Sequence, residues 1–500
     1  MSPPGSAGQP VPLDSEPGPG VAADLVGSSA AGPAALRGSL LRSGSYAATI
    51  LLSLIAAPLL IRHLGLAAYG RYATVLAIVT VVGGLTDGGL LSIGLREWAT
   101  TGGEDRRWLM QGLLGLRVTL SAGGLAAGVA FAAIAGYSGN MVLGTLIAGV
   151  GMMLQVIANV LTVALQGDLR FGWASIVDIC RQSLATALIV ALVLAGAGLL
   201  PFFAVAVPAG LTALVFTAVL VRGRMPIVPR FRGGGQLQLV RDTLPYAAAI
   251  AVNALYFRVT IIAMSLIATS LQLGYFATSF RVTEVLVGVP SLAVGAAFPV
   301  LSRAAKDDHA RFAYATERII ELSLIAGAAL ALLVVLIAPF AIDVLAGPAG
   351  APAAPVLQVQ GLALVATFMS AATGYMLLAL RRHAALLISN SAALVANVVL
   401  TLALVPVDQA RGAAIAAAVA ETCLAVAQII LVIRTGHFRL RPRSIGAVAI
   451  AAAVGAIPLA LAIPSLARTA AGLALFVAAL TLLGRFPPEV SHALRGRAAG

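Results

Sequence analysis

The chain has 500 residues, 60% of them hydrophobic and 10% charged, with a formal net charge of +13 and a mean hydropathy of +0.99. A soluble domain carries about 25% charged residues, so this charge cannot solvate a globule of such length, and the surplus of Leu, Ala, Val and Ile excludes a disordered or fibrous chain. What remains is a polytopic membrane protein, and the basic residues (31 Arg and one Lys) cluster between apolar spans, which ties them to topology and not to nucleic acid.

Residues 1–35 are rich in Pro, Gly, Ser and Ala, with three acids and no Lys or Arg. This composition predicts a disordered cytoplasmic tail, and it lacks the basic start of a cleaved signal peptide. Arg37 and Arg42 then precede the first apolar run, which reads as a retained signal anchor. A helix needs about 20 apolar residues to cross the hydrocarbon core. Such runs occur at 39–61, 72–95, 111–135, 141–165, 174–196, 200–221, 243–267, 275–300, 319–342, 356–380, 384–405, 411–433, 444–463 and 467–484, fourteen in all. They are continuous, not alternating, which excludes a barrel.

With the N-terminus in the cytoplasm, 24 basic residues fall on cytoplasmic segments and four (Arg62, Arg71, Arg411 and Arg468) on outer ones. That division is what the positive-inside rule demands, and omitting an early span would scramble it. Trp98, Trp108 and Trp173 fall at cytoplasmic span ends, where interfacial anchors belong. Both termini are therefore expected in the cytoplasm of a cell-membrane protein.

A faint repeat relates the two halves. Tyr46-Ala47-Ala48 matches Tyr246-Ala247-Ala248, and Gly70-Arg71-Tyr72-Ala73-Thr74 matches Gly274-Tyr275-Phe276-Ala277-Thr278, at offsets of 200 and 204 residues. Six spans per repeat give both halves the same orientation, a transporter layout with substrate held between them. The expected fold is thus an all-α membrane protein of about fourteen helices, two parallel six-helix lobes around a central cleft plus two extra C-terminal helices. The expected organisation is a tail over 1–35, an N-lobe over 36–221, a basic linker over 222–242, a C-lobe over 243–434, and two added helices with a short tail over 435–500.

Cys180 and Cys423 lie in apolar runs without CxxC spacing, and the five histidines are dispersed. No disulfide framework, metal site or cofactor is expected. Arg230-Phe231-Arg232-Gly233-Gly234-Gly235 lacks the end of a P-loop and reads as a flexible contact with anionic membrane phospholipids. Pro58, Pro208, Pro245 and Pro290 mark kinks within spans.

Two segments carry a resemblance. The run Ala57-Pro58-Leu59-Leu60-Ile61-Arg62-His63-Leu64-Gly65 followed by Tyr69-Gly70-Arg71-Tyr72 resembles the first loop of polysaccharide-export flippases. So does span 8, from Leu273-Gly274-Tyr275-Phe276-Ala277 through Arg281-Val282 to Phe298-Pro299-Val300-Leu301-Ser302-Arg303. These flippases belong to the superfamily that also holds multidrug-extrusion antiporters and lipid II flippases. The resemblance covers about residues 36–434 and departs at Thr260, where many relatives carry an Asp near Arg258. It implies translocation of undecaprenyl-pyrophosphate-linked oligosaccharide by alternating access, with polysaccharide polymerase or export machinery as partners.

A diphosphate crossing hydrocarbon needs cationic, hydrogen-bonding groups in a wet cleft, and Arg grips phosphate bidentately while staying ionised. Four intramembrane arginines are the candidates: Arg258, Arg117, Arg181 and Arg281. Asp178 with Arg181, and Arg281 with Glu284, stand three apart on one helical face and either neutralise each other locally or act, the arginines on substrate and Asp178 and Glu284 in ion coupling or gating. Arg117, six residues into span 3, either snorkels to the cytoplasmic interface or faces the cleft. Arg258 has no acid within four residues, so it faces the central cavity or pairs with an acid on another span.

Glu421 stands in span 12 without a neighbouring base. It is a candidate for proton or sodium coupling, or for an interhelical hydrogen bond. Asp87, within Gly83-Gly84-Leu85-Thr86-Asp87-Gly88-Gly89, is a packing or gating candidate, the glycines permitting close approach or local unwinding. A multidrug antiporter is the alternative function, but spans 39–61 and 243–267 contain no acid to bind its cation. A glycan polymerase or ligase needs a sizeable outer loop, and the longest, about 343–355, is mostly Ala, Pro and Gly. An enzyme is not expected.

Overall fold

Hydrocarbon offers no partners to backbone N–H and C=O groups, so an apolar run of span length must satisfy them within itself as a helix. The computed structural model describes residues 31–91, 94, 95, 98, 103–168, 170–223, 225, 228–231, 236–435 and 442–485. Its helices are α1 (Ala31–Leu64), α2 (Leu66–Asp87), α3 (Gly103–Ile134), α4 (Gly139–Gly167), α5 (Phe171–Leu194), α6 (Leu199–Ala204) and α7 (Ala206–Val221). Then follow α8 (Gln236–Ile267), α9 (Ser270–Asp307), α10 (His309–Ala346), α11 (Ala353–Ala379), α12 (His383–Ile433), α13 (Pro442–Ala456) and α14 (Ser465–Leu482). Eleven helical segments among the described residues are long and apolar enough to cross a membrane. This is an all-α, many-span membrane protein. Leu51 and Ile55 on α1 and Ile388 and Val395 on α12 are more than half exposed, as side chains facing lipid should be.

Every expected span coincides with helix, with four adjustments. The tail expected over 1–35 lies outside the described residues as far as 30, and α1 already begins at Ala31. Span 2 is interrupted: α2 ends at Asp87, because Gly88 and Gly89 take positive φ of 47° and 74°, the left-handed conformation that closes helices, and helix resumes at Leu90. Spans 11 and 12 form the single α12, broken by non-helical Asp408 and Gln409 just after Pro406. Span 13 is shortened, since α13 passes at Ala456 into a 3-10 turn, Ile457–Ala460, containing Pro458. Part of the linker expected over 222–242 and the C-terminal residues beyond 485 fall outside the described residues.

Helices α1–α7 pack among themselves, α1 on α5 and α4 on α3 and α7, while α11 packs on α9, α10 and α12. α2 bridges these groups by lying against both α8 and α9, and α13 and α14 pair with each other and against α10. Glu321 on α10 fastens that added pair: it accepts from Arg485 at 3.4 Å and Ser444 at 3.4 Å, as well as from Arg318 of α10 itself at 2.8 Å. Pro339 inside α10 cannot donate to the carbonyl of Val335, and the Gln358 amide does so instead at 3.3 Å. Trp98, expected at the interface, is 4% exposed. Its indole N–H donates to Asp168 at 3.1 Å while the Arg106 guanidinium lies 4.7 Å from its ring, so packing has claimed it.

Candidate functional site

The repeat-related glycines meet. A Cβ at Gly70 of α2 would lie 2.5 Å from the carbonyl oxygen of Ser270 and 2.8 Å from the backbone nitrogen of Gly274. A Cβ at Gly274 of α9 would collide with the carbonyl of Leu66. Since 66 and 70 correspond to 270 and 274 at the repeat offset, each glycine packs on the residue equivalent to the other's own neighbour. Only hydrogen at both positions lets the backbones approach so closely. Arg62 adds a hydrogen bond to the Asp343 carbonyl at 2.7 Å, joining α1 to α10 near this contact.

Beside this contact lies a charge cluster. Arg258, on α8, pairs with Glu284, on α9. Arg281, one turn before Glu284 on the same helix, takes its other carboxylate oxygen at 2.8 Å and also donates to the Ser53 hydroxyl of α1. One carboxylate is thus shared by two guanidiniums, leaving the cluster a formal +1. All three side chains are partly open, at 22% for Arg258, 29% for Arg281 and 27% for Glu284. The Arg258 guanidinium also sits 5.6 Å from the Phe280 ring, a cation–π distance. Spare N–H groups on a net positive, half-open cluster are what a diphosphate oxygen requires.

The remaining charges are placed elsewhere. Arg117 does not snorkel: it is 3% exposed and pairs with Asp87 at 3.0 Å. The cause is the early end of α2, which leaves a carboxylate at a helix C-terminus, where the helix dipole disfavours anions and a guanidinium from α3 compensates. This pair is balanced and lies between α2 and α3. Asp178 and Arg181 lie on α5, which packs on α1 and α7. The Arg181 Nε is buried without a hydrogen-bond partner, and neither residue joins the α8–α9 cluster.

Glu421 is buried and links three helices, accepting from the Tyr256 hydroxyl of α8 and from Ser370 of α11 at 2.7 Å. It lines a cavity together with Gln360, Thr367 and Asn397. Asn397 accepts from Thr260 at 3.2 Å and from Thr401 at 3.3 Å, so Thr260 supplies a hydroxyl to an amide. Ser53, Tyr256, Gln360, Ser370 and Asn397 escaped the sequence reading, which followed formal charge. Uncharged polar residues in mid-span were the signal available to find them.

A family model described as polysaccharide biosynthesis protein matches residues 59–355. No curated protein matches the sequence. Among solved structures the chain is similar to the lipid II flippase MurJ in an inward closed conformation, at 11% identity and a TM-score of 0.74, covering 89% of this chain and 99% of that one. It is also similar to a multidrug resistance MATE transporter in an inward-facing conformation, at 16% identity and a TM-score of 0.64, covering 77% and 94%. A transporter of the same superfamily from Pyrococcus furiosus, described as having a binding pocket of reverse polarity, aligns at 18% identity and a TM-score of 0.54, covering 80% and 95%. At these identities the likeness is one of fold.

Proposed function

The chain belongs to the polysaccharide biosynthesis protein family, within the superfamily of multidrug, oligosaccharidyl-lipid and polysaccharide exporters, and we propose that it translocates an undecaprenyl-pyrophosphate-linked oligosaccharide for surface polysaccharide assembly. The solved structures it resembles in fold include membrane transporters. The observation that carries the finer reading is the positive Arg258–Glu284–Arg281 cluster, set within apolar helices on the α8–α9 side of the contact with α1 and α2. An uncompensated charge at that depth costs several kcal/mol, so two guanidiniums sharing one carboxylate are best explained by an anion that completes the balance.

In this reading two six-helix lobes rock about the Gly70–Gly274 contact, whose pseudo-twofold form supports the repeat, and expose the cluster to each side in turn. The polyprenyl tail stays in lipid while the diphosphate rides on Arg258 and Arg281. Glu421, held by hydroxyls from two other helices, is the proposed site of proton or sodium coupling. A second reading, cation-coupled drug antiport, draws on that same buried carboxylate, but a net positive cluster repels the organic cations such an antiporter would carry. The test is flux of a lipid-linked oligosaccharide in proteoliposomes: Arg258→Ala inserts normally and loses at least about tenfold in rate, the effect of one charge-assisted contact. Full flux in that variant would remove the cluster from the mechanism.

A further inference from the structure

The cavity next to Arg258 offers chemistry that a diphosphate does not use. It is bounded by α8, α9, α11 and α12, and it is lined by both aromatic and polar side chains, as small-molecule sites are. Phe257, Phe276 and Phe280 supply aromatic wall, and Gln360, Asn397 and Glu421 supply polar wall. Gln360 is the anomaly. It is 6% exposed, and neither its amide nitrogen nor its amide oxygen has a hydrogen-bond partner. A primary amide carries two donors and an acceptor oxygen, and buried polar groups left empty are rare enough in native proteins to call for a cause. Leu or Met would fill the same place in an apolar span without that cost.

The chemistry of the walls narrows the occupant. The Glu421 carboxyl disfavours an anion in the cavity, which keeps a diphosphate out and on the arginines. A group that both donates and accepts would satisfy both ends of the Gln360 amide, and a hydroxyl does this. The rings of Tyr256, Phe257, Phe276 and Phe280 favour an apolar face on the same ligand. Hydroxyls around the edge and C–H groups on the face describe a sugar ring.

Phe280 makes the two sites continuous: its ring lines the cavity and lies 5.6 Å from the Arg258 guanidinium. We propose that this cavity is the subsite for one sugar ring of the lipid-linked glycan, with Gln360 as its recognition residue. The proposal rests on the flippase reading and adds to it where the headgroup sits relative to the diphosphate.

The test measures Kd for the full-length protein in nanodiscs against three probes: an isoprenyl diphosphate, the same lipid bearing one hexose, and the same lipid bearing one N-acetylhexosamine. The wild type is expected to bind one of the sugar-bearing lipids at least about tenfold tighter than the bare one, since sites built to hydrogen-bond a ligand discriminate strongly against analogues lacking the group. Gln360→Met should bring that ratio close to one. It should also leave the Tm of the ligand-free protein equal or higher, because it removes an unpaired buried amide. A ratio near one in the wild type, or a ratio kept in Gln360→Met, overturns the subsite and leaves the flippase reading standing. A fall in Tm of more than about 5 °C in Gln360→Met would assign the amide a structural role and likewise overturn it. Binding of tetraphenylphosphonium that disappears in Gln360→Met would give the cavity to organic cations instead. If the wild type binds none of the three lipids, the flippase reading falls and the subsite falls with it.

Discussion

Two sets of intramembrane charges in this protein look alike in composition and differ in arrangement. Asp87 and Arg117 form a one-to-one pair across α2 and α3, with the guanidinium almost fully enclosed. Arg258, Glu284 and Arg281 form a two-to-one cluster on α8 and α9, with all three side chains partly open. The first has a local cause, a helix that stops in front of two glycines and strands an acid at its end. The second has no such cause and leaves a positive charge unspent. Balance of charge marks a structural pair, and a surplus of charge marks a site that waits for a ligand.

That contrast is open to direct attack. Replacing Arg258, Glu284 and Arg281 together by apolar residues should abolish flux in proteoliposomes while the protein still inserts. The double variant Asp87→Leu with Arg117→Leu should keep flux within about threefold, since exchanging a buried ion pair for apolar side chains is often neutral to stability. Equal losses in the two variants would erase the distinction.

Next in size is Gly274→Val. A side chain there meets the Leu66 carbonyl, so the α2–α9 contact should open and flux should drop by about tenfold or more. Cysteines placed near Gly70 should then become reactive to a membrane-impermeant thiol reagent from the outside. Unchanged labelling would show that this contact does not govern access.

Glu421→Gln is expected to be milder. It preserves shape and one acceptor while removing the ionisable group, so flux should persist at equal pH on both sides and lose its response to an imposed proton or sodium gradient. A gradient response equal to that of the wild type would place coupling elsewhere. Smallest of all is Glu321→Gln, which weakens the tie from α10 to Ser444 and Arg485. Partly exposed ion pairs are worth about 1 kcal/mol or less, so the expected result is a Tm lower by at most about 2 °C with flux unchanged.

What could be read from the sequence follows from which properties add up residue by residue. Transfer of a helix into hydrocarbon is close to a sum over its side chains, so the apolar runs determined the helical class and the approximate places of the helices unaided. Gly70 and Gly274 could be matched as repeat partners for the same reason, since the offset is a property of the string. Pairing is not such a sum. Arg258 has no acid nearby in sequence, and its partner Glu284 stands 26 residues away on the next helix. Arg117 met Asp87 only because two glycines ended α2 early, and Gln360 became conspicuous only when packing left its amide empty. Those outcomes depend on helix rotation and on how closely small residues let helices approach, and both are settled by packing across the whole bundle.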